Sequence, residues 1–185
     1  MQRYILTGAP GAGKTVILRR LELGGVAVVE EAVTDLIALA GAEGVARHWE
    51  APSFIDDIVA LQRSRQRRAD AWPDEVVVFD RSPICTLALS RFLGRAPSPA
   101  LVAEVERVRR EGIYQPRVFF VENLGYVTPT EARRISFEDS LRFEQVHAEV
   151  YREFGFTCVP IPPGDPATRA RLVERAIGRP SDRLV

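Results

Sequence analysis

Gly8-Ala9-Pro10-Gly11-Ala12-Gly13-Lys14-Thr15 is the stretch that decides the reading of this 185-residue chain. It fits the pattern G-x-x-x-x-G-K-[ST] in full. The glycines let successive backbone N–H groups turn inward and form a nest for anionic oxygens. Lys14 adds a positive charge on a flexible stem, and Thr15 offers a hydroxyl to a magnesium ion. The helix that opens near Gly13 points its positive end at the same place. The expectation is that Gly8, Ala9, Pro10, Gly11, Ala12, Gly13, Lys14, Thr15 and Val16 hold the phosphates of a nucleoside triphosphate, with Mg2+ bound alongside.

Both flanks suit such a loop. A short apolar strand, Tyr4 to Thr7, leads into it, and the helical pattern Val16, Leu18, Leu21 leaves it. Further along, β-branched runs alternate with helix-like segments. Strands are expected at Val26–Glu30, Val76–Asp80, Arg117–Val121 and Phe156–Ile161. Several are apolar on successive residues, as strands covered on both faces are. The alternation predicts an α/β protein: a P-loop NTPase fold with a kinase-like five-stranded parallel sheet flanked by helices. Ser82 with Pro83 reads as a helix start, Ser136 with Asp139 as a capping box, and Asp165 with Pro166 as the start of a last helix that Gly178 ends. Residues 123–135, with Gly125, Pro129 and two arginines, read as a short lid. No repeat or linker divides the chain, so residues 1–178 form one expected nucleotide-binding domain, with 179–185 as a frayed tail.

Composition narrows the partners. Hydrophobic residues make up 46% and charged residues 27%, with 25 acidic and 25 basic side chains. That is globular composition without the overall basic field that nucleic acid attracts. No run reaches the roughly 20 apolar residues of a membrane span, and the N-terminal strand leads into the loop rather than into a signal peptide. The two cysteines, Cys85 and Cys158, are too few for a disulfide framework. A cytoplasmic setting is the expectation. The oligomeric state is left open.

Candidate chemistry lies at the strand ends. Asp80 closes Val76-Val77-Val78-Phe79-Asp80, where a carboxylate can serve the magnesium shell or take a proton from an attacking hydroxyl. Arg81 follows beside a helix start and suits a phosphate or carboxylate on an acceptor, or else a surface ion pair. Glu30 and Glu31 end the second strand. They either bind acceptor hydroxyls or complement a helix dipole. Arg133 and Arg134 in the lid are placed to close over the transferring group. The catalytic set expected is therefore Lys14, Asp80, Arg133 and Arg134, with Glu30, Glu31 and Arg81 on the acceptor and Thr15 and Asp80 on the metal. Arg63, Arg65, Arg67 and Arg68 read as a solvated helix face. His48 and His147 lack partners at zinc spacing. Phe137, Phe143, Tyr151 and Phe154 read as the core side of one long helix.

The chain resembles the small AAA-like P-loop ATPases and kinases related to the ribosylnicotinamide kinase domain of the bifunctional NAD-biosynthesis protein. The resemblance is carried by the loop, by Val29-Glu30-Glu31-Ala32, by Phe79-Asp80-Arg81-Ser82-Pro83, by Phe137-Glu138-Asp139-Ser140-Leu141 and by Tyr151-Arg152-Glu153-Phe154-Gly155-Phe156. It implies magnesium-ATP and an Asp-Arg pair at the acceptor. The riboside kinases tend to carry an arginine three residues after the second-strand glutamate. Thr34 stands there instead, which argues against nicotinamide riboside. The expectation is a magnesium-ATP-dependent phosphotransferase acting on a small hydroxyl- or phosphate-bearing acceptor, with GTP still open as donor. The alternative is a nucleotide-dependent switch that presents a surface to a partner.

Overall fold

The computed structural model describes residues 1–126 and 135–179. Five strands, β1 (Gln2–Thr7), β2 (Ala27–Val29), β3 (Val76–Asp80), β4 (Arg117–Val121) and β5 (Thr157–Ile161), form one sheet in the order β2-β3-β1-β4-β5, parallel throughout. The helices are α1 (Lys14–Leu23), α2 (Ala32–Ala42), α3 (Phe54–Ala69), α4 (Pro83–Phe92), α5 (Pro99–Arg110), α6 (Phe137–Glu153) and α7 (Pro166–Ala176), with a 3-10 turn at His48–Glu50.

Side chains alternate across the pleat and feed two cores. Tyr4, Leu6, Val78, Phe119 and Val121 pack against Ile17, Leu18 and Leu21 of α1 and Ala170 and Val173 of α7. Ile5, Val77, Phe79 and Val118 face the other way and meet Ile58, Ile84, Leu101 and Tyr151. Both faces are therefore dry, which is why the strands read as continuous apolar runs. On the helix after the loop, Ile17 takes the buried place expected of Val16, which is 49% exposed.

The register decides where the chemistry falls. β1 lies between β3 and β4, with Leu6 opposite Asp80 and Thr7 opposite Phe120. Asp80 therefore ends one strand beside the turn that leaves the other. Gly8 makes this approach possible. It sits at φ 134°, and a Cβ on it would fall 2.2 Å from the Val121 carbonyl oxygen. Gly8→Ala is expected to lower unfolding free energy by about 2 kcal/mol or more, because the main chains of β1 and β4 would have to part. A urea titration checks this, and an unchanged midpoint would show that the two strands can separate freely.

Helix ends follow their sequence signals with one exception. Ser136 and Asp165 accept from the backbone N–H groups of Asp139 and Thr168. Ser82 occupies the N-cap position of α4, but its hydroxyl lies 2.9 Å from the Tyr151 hydroxyl and caps nothing. The aromatic stripe of α6 is also narrower than expected. Phe143 and Tyr151 are buried, whereas Phe137 in the first turn is 41% exposed. Arg179, placed in the expected frayed tail, donates to the Gly25 carbonyl at 2.6 Å; the rest of that tail, residues 180–185, lies outside the described ones.

Candidate functional site

The glycine loop closes on itself between β1 and α1. The Ala12 N–H donates to the Ala9 carbonyl at 3.3 Å, and Lys14 Nζ donates to the same oxygen at 3.0 Å. Gly13 caps α1 at φ 87°, a conformation that favours glycine. Pro10, Gly11, Gly13, Lys14, Thr15 and Val16 line a cleft of about 640 Å³. Ala9 and Ala12 are fully buried beneath the loop.

Four charges meet beside this cleft: Lys14, Glu31 and Arg81 line it, while Asp80 is buried next to them and is not among the lining residues. Lys14 is 7% exposed and Asp80 6%. Burial, reinforced by Arg81, pushes the Lys14 ammonium down to about 8, while Asp80 and Glu31 pull it back up. Burial, reinforced by the negative charge of Glu31, pushes Asp80 up to about 6, against the pull of Lys14 and Arg81. Burial acts to raise Glu31 too, but Arg81, Lys14 and the Thr34 hydroxyl outweigh it and hold the carboxyl at about 2. Two cations thus face two carboxylates, and the least satisfied member is Asp80. Its Oδ1 is buried without a hydrogen-bond partner among the described residues. Such an atom needs a proton or a cation.

Asp80 Oδ1 and the Thr15 hydroxyl could serve magnesium. The ion usually takes one or two protein oxygens, leaving the rest of its shell to phosphates and water. Consistent with that sparse set, no group of three or more His, Cys, Asp or Glu residues among the described ones could hold a metal by itself.

Arg81 is built in with more effort than an ordinary surface arginine. Its backbone is left-handed at φ 73°, while its N–H continues the sheet ladder to the Leu6 carbonyl at 3.0 Å. Its Nε donates to Glu31 Oε1, and its Nη1 lies 3.2 Å from His147 Nε2. Nη2 has no partner among the described residues, and Arg81 lines the cleft. Non-glycine residues at positive φ cost about 1–3 kcal/mol and concentrate at functional sites.

The two glutamates part company. Glu31 lines the cleft, pairs with Arg81 and accepts from the Thr34 hydroxyl at 2.7 Å. Glu30, expected beside it on the acceptor, pairs instead with Arg19 of α1 and lies outside that cleft. Successive residues of an extended segment point to opposite sides, so only one could enter. Arg65 also departs from the expected solvated face. Its Nη1 donates to the Glu30 and Glu31 carbonyls at 2.8 Å each and so fixes the segment that carries Glu31.

His147, which lacks partners at zinc spacing, is fully buried. Its Nδ1 lies 2.9 Å from the Phe143 carbonyl, one turn back on α6. A carbonyl can only accept, so Nδ1 carries the hydrogen and Nε2 presents a lone pair to Arg81. Burial and the Arg81 charge hold its pKa well below the usual histidine range, which keeps the ring neutral. It braces Arg81 from behind. Its sequence signal was a polar residue on the Phe143–Tyr151 apolar stripe.

The start of the expected lid is linked to the loop through Ser140 of α6. Asn123 Nδ2 donates to Ser140 Oγ at 3.0 Å, and Ser140 Oγ donates to the Pro10 carbonyl at 3.2 Å. Arg133 and Arg134 lie outside the described residues.

A parallel sheet with β1 beside β3, a glycine loop running into α1, and a buried strand-end carboxylate define a P-loop protein of kinase-like architecture. The chain belongs to the AAA domain family, whose sequence model matches residues 3–169. No curated protein matches it. Among solved structures it is similar to deoxyadenosine kinase from M. mycoides with dCMP and dCDP bound, at 13% identity and a TM-score of 0.64 over 95% of this chain and 98% of that one. It is similar to NadR protein in complex with NAD and AMP-PNP, at 19% identity and a TM-score of 0.65 over 100% of this chain and 51% of that one. Thymidylate kinase from Ehrlichia chaffeensis gives 12% identity and a TM-score of 0.62 over 95% and 98%. At these identities the likeness is one of fold. Among the described residues, no helix is long and apolar enough to cross a membrane.

Proposed function

We propose that residues 1–178 form one nucleotide-binding domain that transfers a phosphoryl group from magnesium-ATP to the hydroxyl or phosphate of a small acceptor. The observation that carries this reading is the Arg81–Glu31 pair. Holding a triphosphate needs the glycine loop and a metal, both available without it. A strained arginine, braced by His147 and paired with an ionised glutamate on the cleft wall, has a use if a second molecule binds there. Glu31 accepts a hydrogen bond from the acceptor hydroxyl, and the open Nη2 of Arg81 takes an anionic or oxygen-rich group. Beyond them the cleft wall carries Trp49, Phe54, Phe92 and Phe143, with Gln62 among them, which suits an acceptor with a flat apolar part. The fold likeness to deoxyadenosine and thymidylate kinases lends support to a nucleoside or nucleotide.

In this reading the chain's work is positioning and charge neutralisation. The loop N–H groups and Lys14 hold the donor phosphates. Asp80 and Thr15 hold magnesium, which supplies Lewis-acid neutralisation of the phosphate oxygens when bound. Glu31 and Arg81 aim the acceptor oxygen.

ATP consumption is expected to be slow alone and to rise sharply with the right acceptor. A screen of nucleosides, nucleotides, sugars and amino alcohols reads this out. Arg81→Ala should then raise the acceptor's KM by about 10- to 100-fold, the cost of a lost charged hydrogen bond, with donor affinity nearly unchanged. If no acceptor stimulates turnover while a protein partner binds only the ATP-loaded form, the switch takes the kinase's place.

A further inference from the structure

Arg169, on α7, is 2% exposed, although nothing in the site described above uses it. Its guanidinium meets no carboxylate among the described residues. Nη1 donates to the Ala12 carbonyl at 2.6 Å, and Nη2 donates to the Glu122 carbonyl at 2.8 Å and the Ile161 carbonyl at 3.3 Å. Nε is buried without a partner. A cation buried on carbonyl oxygens alone is costly, and burial lowers its pKa, with only the Glu122 charge acting the other way.

The Ala12 bond explains the expense. In a trans peptide unit the C=O and the N–H point in opposite directions. The Ala12 carbonyl belongs to the same unit as the Gly13 N–H. Fixing that oxygen to a group beneath the loop therefore turns the Gly13 N–H away from α7. Gly13 lines the cleft, and its N–H has no hydrogen-bond acceptor among the described residues. The approach is tight: a Cβ on Gly13 would stand 3.1 Å from Arg169 Nη1, at a φ of 87° that itself favours glycine. The other two bonds anchor the same guanidinium to the chain just after β4 and to the end of β5, so the loop is referenced to the rigid sheet.

We propose that Arg169 is a positioning residue for phosphate binding, which holds the Gly13 N–H aimed into the cleft and places a positive charge behind the nest. The proposal rests on the loop's being the triphosphate site. Arg169 touches no ligand. It keeps the loop in its anion-accepting form when empty, so that binding does not have to reorder it, and its charge adds to the positive end of α1.

The test titrates magnesium and AMP-PNP into the full chain by calorimetry, alongside Arg169→Gln and Arg169→Lys, and follows the Gly13 amide resonance in the free proteins. The glutamine variant should bind about tenfold more weakly, with a shifted Gly13 amide. The lysine variant keeps the charge and should recover part of the affinity. A folded glutamine variant that binds within about twofold of the wild type, or one that only melts earlier, overturns the proposal. Should that variant not fold, Arg169→Lys decides: weaker binding with a shifted Gly13 amide supports the proposal, and wild-type affinity overturns it. A wild-type chain that fails to bind AMP-PNP defeats the reading of the loop itself, and the proposal falls with it.

Discussion

Lys14→Ala is expected to lower triphosphate affinity by about 100-fold or more, the scale of a lost charge-assisted contact to phosphate in a dry site, while the fold persists. The side chain is buried but belongs to the cleft. Among the described residues its one hydrogen bond, to the Ala9 carbonyl, closes the loop on itself. Burial depresses its pKa to about 8, and the sign follows directly. A lysine whose native pKa lies below its unfolded value opposes folding at neutral pH, and the penalty fades as pH rises through about 8 toward 10.5. Removing it therefore costs the empty protein little stability. Phosphate favours the charged form, so wild-type binding should take up a proton above about pH 8 and weaken with rising pH through that same range. Calorimetry in buffers of different ionisation enthalpy measures that uptake, and Lys14→Ala should abolish it. Unchanged affinity in a folded variant would remove the loop from the site.

The fold was open to sequence reading because each strand announces itself twice, by β-branched composition and by the turn or cap that follows. β3 and β4 fall at their expected limits. β2 is shorter than expected, pairing with β3 over three residues only, Ala27 to Val29. The loop was legible because its chemistry is local, with every group it needs inside eight residues. The acceptor side was legible only in part, because its geometry comes from distant segments. Which of Glu30 and Glu31 enters the cleft depends on the phase of a short extended segment and on Arg65, 34 residues beyond Glu31. His147 and Arg169 act through main-chain and guanidinium contacts that no spacing rule encodes. Both did leave a mark: each is a polar residue on the apolar stripe of its helix, His147 between Phe143 and Tyr151, and Arg169 one turn before Val173. A buried-face histidine or arginine on such a stripe is a question about what it faces.

Asp80→Asn should stabilise the empty protein and disable it, and the two effects have one cause. Asp80 is raised from 3.8 to about 6 by burial and by the Glu31 charge. A carboxyl whose native pKa is raised contributes stability below its unfolded pKa, and that contribution is lost as pH climbs through about 6. At pH 7 the wild type therefore carries the full penalty of a buried, incompletely partnered carboxylate, about 3 kcal/mol. Asparagine removes the charge. Its melting temperature at pH 7 should exceed the wild type's by several degrees, and the gap should close as pH approaches 4. With magnesium and triphosphate the order reverses. The wild-type carboxylate gains the cation its Oδ1 lacks, so metal and nucleotide should stabilise it far more than the variant, and turnover in the variant should fall by about 100-fold or more. Calorimetric melts across pH, with and without the ligands, read both halves. A variant that melts like the wild type at pH 7 would mean Asp80 bears no strain. One that keeps full metal dependence and turnover would place magnesium on other oxygens. Crossing curves are the signature of a site whose stability was given up for a ligand.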